Sequence, residues 1–169
     1  MIRRLLSTRS QYGVLAVGFH WVSAVVFIGI MASGYIMTGY LHGKHIWSWY
    51  AYHKQAGLIM LLIAAGRIIN RIIGKTVLSP QALLHQAMYA GLFIMPISGW
   101  VMSSSAGYPP KLFGVVLPIV SDGNQLLTDA AWYSHFVMGI LMFIWIIIHV
   151  TSLIISYQQG KKRIFRMSW

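Results

Sequence analysis

The chain has 169 residues, 57% of them hydrophobic and only 9% charged, whereas a water-exposed globule carries about 25% charged residues; that class is excluded, and lipid is the solvent to reason with. The formal charge of +11 sits in the gaps between apolar runs, so it reads as membrane topology and leaves nucleic acid an unsupported partner. No cysteine is present, which excludes disulfides, thiolate metal sites, cysteine nucleophiles and covalent attachment through Cys-x-x-Cys-His.

The first apolar run predicts a spanning helix over 13–37, preceded by Arg3, Arg4 and Arg9. Its length exceeds the roughly 7–15 residues of a signal h-region, so it reads as an uncleaved span. His20 lies roughly 10 Å in from the start of this helix. A second span is predicted over 46–69, although only Gln55 to Gly66 is free of charge, about 18 Å of helix. It crosses if Lys54 snorkels outward and Arg67 snorkels or meets an anion inside; the continuous apolar run Leu58 to Ile63 supports it. His53 falls just inside the outer end of this helix, and Arg67 returns to nearly the same face at the other end. His42 and His45 precede it and read as solvated loop.

The third span is predicted over 83–103, opened by His85, which has no partner of matching depth among the histidines. A connection rich in glycine and proline follows over 104–131, long enough to be either a lid or disordered. The fourth span, over 132–156, carries His135 near its start and His149 near its end.

Four spans put both termini on one side. That side gathers Arg3, Arg4, Arg9, Arg67, Arg71, Lys75, Lys161, Lys162, Arg163 and Arg166, against Lys44, Lys54, Lys111, Asp122 and Asp129 on the other. The positive-inside rule makes the first side cytoplasmic. Trp47, Trp49, Tyr50, Tyr52, Trp132 and Tyr133 fall at the outer interface as an aromatic belt. The expected fold is an all-α, integral membrane four-helix bundle, a single transmembrane domain over 1–169 with both termini cytoplasmic and lipid as its surroundings.

Within that topology His20 and His149 share one depth, and His53 and His135 share another. His135 and His149 are 14 residues apart, about 40° short of four full turns and about 21 Å along the axis, so one helix presents both to nearly the same side. Two imidazoles per site and no nearby carboxylate suit neither tetrahedral zinc nor a hard cation. Two axial nitrogens do suit a haem, whose porphyrin supplies the other ligands. The pattern therefore predicts a di-haem b-type cytochrome with four iron ligands, His20, His149, His53 and His135. Gly57 and Gly139, one turn beyond His53 and His135, leave room for a flat macrocycle. Arg67 either pairs with a propionate of the cytoplasmic-side haem or snorkels. His85 either contacts a propionate or a quinone, or sits at the interface.

The chain resembles the bacterial cytochrome b561 family of small di-haem membrane cytochromes. The resemblance rests on Tyr12-Gly13 and Phe19-His20-Trp21, on His53-Lys54-Gln55-Ala56-Gly57 with Arg67, on His85 and Pro96-Ile97-Ser98-Gly99-Trp100, and on His135 and His149. It implies the same ligand pairing, a place in the bacterial inner membrane, and one-electron transfer between an outer-face redox partner, superoxide in some branches, and the quinone pool, with ubiquinone as a substrate. Ser156 stands where some members carry a further histidine, which weakens a direct carry-over of a quinone or superoxide site.

Two alternatives remain at the level of sequence. One is a haem-bearing anchor subunit of a larger dehydrogenase, with the 104–131 connection docking a protein partner; a homodimer is also compatible. The other is a histidine-relay proton or metal transporter, disfavoured because the chain has no Glu and neither Asp lies in a span.

Overall fold

A computed structural model describes residues 5–7, 12–74 and 82–160. Four long helices dominate it: α1 (Val14–Gly39), α2 (Ile46–Ile73), α3 (Ala82–Ser105) and α4 (Gln125–Gln158), with a two-stranded hairpin of β1 (Lys111–Leu112) and β2 (Val115–Val116) between the last two. Each helix is long and apolar enough to cross a membrane, because its backbone polar groups are satisfied within the segment and its side chains match the hydrocarbon. Of the basic residues assigned to the cytoplasmic side, Arg3, Arg4, Arg9, Lys75, Lys161, Lys162, Arg163 and Arg166 lie outside the described residues.

The side-chain contacts fix the topology. Phe19 near the start of α1 touches Gly66 near the end of α2, while Gly34 near the end of α1 faces His53 near the start of α2. Arg67 of α2 lies over Tyr89 of α3, and Lys54 reaches Ser103. Gly91 faces Met142, and Gly99 faces His135. Consecutive helices are therefore antiparallel, α1 against α2, α2 against α3 and α3 against α4, the up-down-up-down order that short connections favour.

The buried centre lies at mid-bundle and draws on all four helices: Phe27 and Ile30 from α1, Met60 and Ala64 from α2, Leu92 and Met95 from α3, and Met142 from α4. Small residues allow the close approach. A Cβ on Gly66 would stand 2.9 Å from the Phe19 ring, and one on Gly91 would overlap the Met142 sulfur. Close backbone approach at glycine replaces the hydrophobic drive that is missing between helices in lipid. The outward faces of α1 and α4 carry Val25, Ile28, Phe136, Ile140, Phe143 and Ile147 exposed, as a lipid-facing surface requires.

Two features differ from the sequence expectation. Helix α4 opens at Gln125, well before the apolar span at Trp132, because Asn124 caps it by accepting from the Leu127 amide at 3.0 Å. The long connection is thereby shortened, and it is ordered. Trp100 Nε1 donates to the Pro118 carbonyl at 3.2 Å, the Val120 amide donates to Ser104 Oγ at 2.7 Å, and the Leu117 amide donates to the Pro110 carbonyl at 3.0 Å. Ser103 and Ser104 are buried because they bind this loop down onto the end of α3.

Candidate functional site

The histidines that the sequence pairs by depth meet in space. The rings of His53 on α2 and His135 on α4 have centroids 6.2 Å apart. Those of His20 on α1 and His149 on α4 are 6.4 Å apart. A first-row metal stands about 2.0–2.1 Å from an imidazole nitrogen, and the ring centre lies about 1 Å beyond, so two rings on opposite sides of one ion have centroids roughly 6 Å apart. Both separations match that span.

The hydrogen bonds around the first pair define which ring nitrogen is free. His135 Nδ1 stands 2.8 Å from the Met95 carbonyl oxygen; a carbonyl only accepts, so Nδ1 carries the hydrogen. Ser33 Oγ donates to the Ile30 carbonyl at 2.8 Å, which leaves its lone pairs for His53 Nδ1 at 2.9 Å. In both rings the Nε2 lone pair is left for a ligand, the arrangement that orients metal-binding histidines. A groove of about 400 Å³ opens at His53, and a second, of about 330 Å³, reaches Ser98 but neither histidine. One lies between α1 and α2 and is lined by Val26, Ile30, Ser33, Trp49 and His53; the other lies between α3 and α4 and includes Phe93, Ile97, Ser98 and Ser134. Nothing stands within 4 Å of a Cβ built on Gly57, and only the end of Met95 approaches Gly139, at 3.8 Å. Open space of this kind suits a flat macrocycle.

The second pair has different company. His85 lies edge-on to His149, with centroids 5.3 Å apart, and Trp21 lies edge-on to His20 at 5.5 Å. His149 Nδ1 is buried with no hydrogen-bond partner among the described residues. Arg67 is within electrostatic reach of His20, His85 and His149. Its guanidinium shares the Tyr89 ring with that of Arg71, at 5.0 and 5.4 Å from the centroid. The chain's two acidic residues, Asp122 and Asp129, belong to the other end of the bundle, so no carboxylate side chain neutralises these arginines. Arg67 is half-buried and Arg71 is exposed; a cation at membrane depth without a counter-ion is costly, and an anionic group seated beside Arg67 would offset that cost.

The residues therefore fit a haem at each pair: imidazole donors at the required separation, free Nε2 lone pairs at the first pair, an orphaned imidazole nitrogen at the second, and arginines placed for carboxylates. Sequence reasoning placed His85 without a partner, and the structure puts it against His149. Ser33, Gly34 and the Ile30 and Met95 carbonyls were not singled out from the sequence, and Ser98 stood there only within the Pro96-Ile97-Ser98-Gly99-Trp100 motif, with no role. Their one available signal is that Ser-Gly occurs just twice in the chain, at Ser33-Gly34 and Ser98-Gly99, once in α1 and once in α3.

Four membrane-spanning helices with paired imidazoles between them define a membrane b-type cytochrome, an electron-transfer protein. The comparison with known families agrees: the family described as prokaryotic cytochrome b561 matches residues 11–168, and the chain belongs to it. Among characterised relatives, Cytochrome b561 homolog 2 of Escherichia coli (strain K12) is 31% identical, over 77% of this chain and 76% of its own. The protein is thus a multi-pass haem b protein of the bacterial inner membrane.

Proposed function

We propose that the protein holds two haem b groups, one between His53 and His135 and one between His20 and His149, and passes single electrons across the membrane between a redox partner at the outer face and the quinone pool. The observation that carries this reading is the pair of imidazole gaps, 6.2 and 6.4 Å, at opposite ends of one bundle. Haem supplies reversible one-electron chemistry at each site. The chain supplies the rest. Ser33 and the Met95 carbonyl hold the Nδ1 hydrogens of the outer imidazoles, Arg67 and Arg71 receive propionate charge at the inner end, and the Met60, Leu92, Met95 and Met142 layer keeps water out between the two sites.

The His20 and His149 end is cytoplasmic in this reading, because Arg67 and Arg71 of α2 lie there. Superoxide is the small anion that an outer partner site of this chemistry would take, drawn by Lys44 and Lys111; its reaction rate then falls as salt rises. Lys54 contributes less to that field, since it is engaged with Ser103 and Tyr108. A quinone at the inner end has His85 and Arg67 as candidate contacts.

A second reading, a haem-bearing anchor for a dehydrogenase, is favoured by one observation. The hairpin leaves Phe113 74% and Val115 70% exposed, with Val116, Ile119 and Val120 also uncovered, a patch suited to docking a protein. Copurification in mild detergent separates the readings.

The deciding experiment is a dithionite-reduced minus air-oxidised spectrum with a haem count per chain, on wild type, His53→Ala and His149→Ala. Two haems in wild type and one in each variant is the expected result. A colourless protein or a count unaffected by either substitution overturns the assignment.

A further inference from the structure

The two imidazole pairs are not anchored alike. On α1 the sequence Ile30-Met31-Ala32-Ser33-Gly34 and on α3 the sequence Met95-Pro96-Ile97-Ser98-Gly99 place a carbonyl, a serine three residues on and a glycine four residues on against one histidine each. Ser98 Oγ donates to the Met95 carbonyl at 3.0 Å and lies 3.3 Å from His135 Nδ1, as Ser33 does with Ile30 and His53. The glycine lets the ring lie against the helix: a Cβ on Gly34 would stand 3.3 Å from His53 Cε1, and one on Gly99 would stand 3.0 Å from His135 Cε1. The same device is thus built twice, and both copies serve one site. At the other site His149 Nδ1 has no partner among the described residues, and Arg67 supplies positive charge.

The electronic consequence follows from the hydrogen bond. An Nδ1 hydrogen held by an oxygen acceptor makes the opposite nitrogen more basic, and a stronger donor favours the oxidised metal, which lowers the reduction potential. A guanidinium beside a site, even one that pairs with a carboxylate there, favours the state with one more electron relative to a neutral side chain in its place and raises the potential. The two effects act on different sites, and they separate the potentials in the same direction.

We propose that Ser33 and Ser98 are positioning residues whose hydrogen-bonded cradles make the His53 and His135 site the lower-potential of the two, so that the electron path runs downhill from that pair toward His20 and His149. His53 and His135 would hold a group that gives up one electron, and His20 and His149 would hold one that takes up that electron, so oxidation at the first would balance reduction at the second. No bond breaks, and the anchored imidazoles keep their Nδ1 hydrogens. The inference rests on the two-haem reading and deepens it.

The test is a spectroelectrochemical redox titration of the purified holoprotein, with the haem count taken on the same samples. Wild type should give two one-electron waves, and His53→Ala should retain the upper one. Ser33→Ala removes the closest acceptor of His53, a hydrogen bond worth about 1 kcal/mol, so the lower wave should rise by about threefold to tenfold in its one-electron equilibrium, where tenfold is about 59 mV. Ser33→Thr, which keeps the hydroxyl, should restore the wild-type position. Ser98→Ala leaves the His135 bond to Met95 in place and should raise the same wave by less, which keeps the test open if Ser33→Ala does not load haem. Retention of the lower wave in His53→Ala, or a lower wave that stays fixed or falls in Ser33→Ala or Ser98→Ala, overturns the proposal. A haem count other than two in wild type is instead a failure of the underlying reading.

Discussion

The imidazole of His85 stands edge-on to that of His149, 5.3 Å between centroids at an interplanar angle of 69°. It reaches this position because α3 enters the bundle beside the end of α4, at the depth where α1 presents His20. The contact restricts how the His149 ring can turn, which matters because its Nδ1 has no hydrogen bond to do so. His85→Ala should therefore leave the haem count at its wild-type value while broadening or shifting the low-spin signal of the haem proposed at His20 and His149 in electron paramagnetic resonance. Loss of a haem from His85→Ala would make His85 a ligand and contradict the pairing.

The glycines beside His53 and His135 make a graded prediction. Gly99→Ala places a methyl 3.0 Å from His135 Cε1 and 3.2 Å from Nδ1, tighter than a ring held by the Met95 carbonyl can relieve, so overpacking of about 1–3 kcal/mol is expected. Gly34→Ala, with 3.3 Å to His53, should cost less. Gly29→Ala meets nothing within 4 Å and should be neutral. Thermal unfolding of the holoproteins, with haem retention alongside, should rank them in that order.

Charge at the His20 and His149 end is testable through Arg67 and Arg71. Arg67→Gln removes the cation that reaches all three inner histidines, so the upper redox wave should fall, by a larger step than in Arg71→Gln. The lower wave should not move in either variant. Equal shifts of both waves would show that the arginines act on the whole bundle and not on one site.

Lys54 acts as a latch. Its ammonium donates to Ser103 Oγ at 3.0 Å and to the Tyr108 carbonyl at 3.2 Å, and Ser103 donates to the same carbonyl, so one buried-side cation ties α2 to the loop above α3. Lys54→Met keeps the stem and removes the charge, and should cost about 1.5–3 kcal/mol of stability per charged hydrogen bond lost. Limited proteolysis should then cut between Tyr108 and Asn124 faster than in wild type, with the haem count unchanged.

Much of this architecture is legible in the sequence, for definite reasons. The four spans follow from hydropathy because lipid permits few alternatives, and the depth match of His20 with His149 and of His53 with His135 follows from helical rise alone. Depth says nothing of azimuth, which is why His85 had no visible partner until α3 was placed beside α4. The Ser-Gly cradles were hidden for another reason: serine and glycine are common in membrane helices, and only the contact with a histidine on a neighbouring helix distinguishes Ser33 and Ser98. The start of α4 was hidden because its first turns are polar and are set by the Asn124 cap, which hydropathy does not register.

The twin cradles also bear on how the protein acquires its cofactors. Before any haem arrives, the His53 and His135 imidazoles are already held by neighbouring helices with their tautomers chosen, so capture there forfeits little side-chain freedom. The His149 imidazole has the edge of His85 against it but no hydrogen bond at Nδ1, and it lies near Arg67, which an anion would neutralise. Haem added stepwise to the apoprotein should accordingly fill the His53 and His135 site first, and the His20 and His149 end should gain its protease resistance only with the second equivalent.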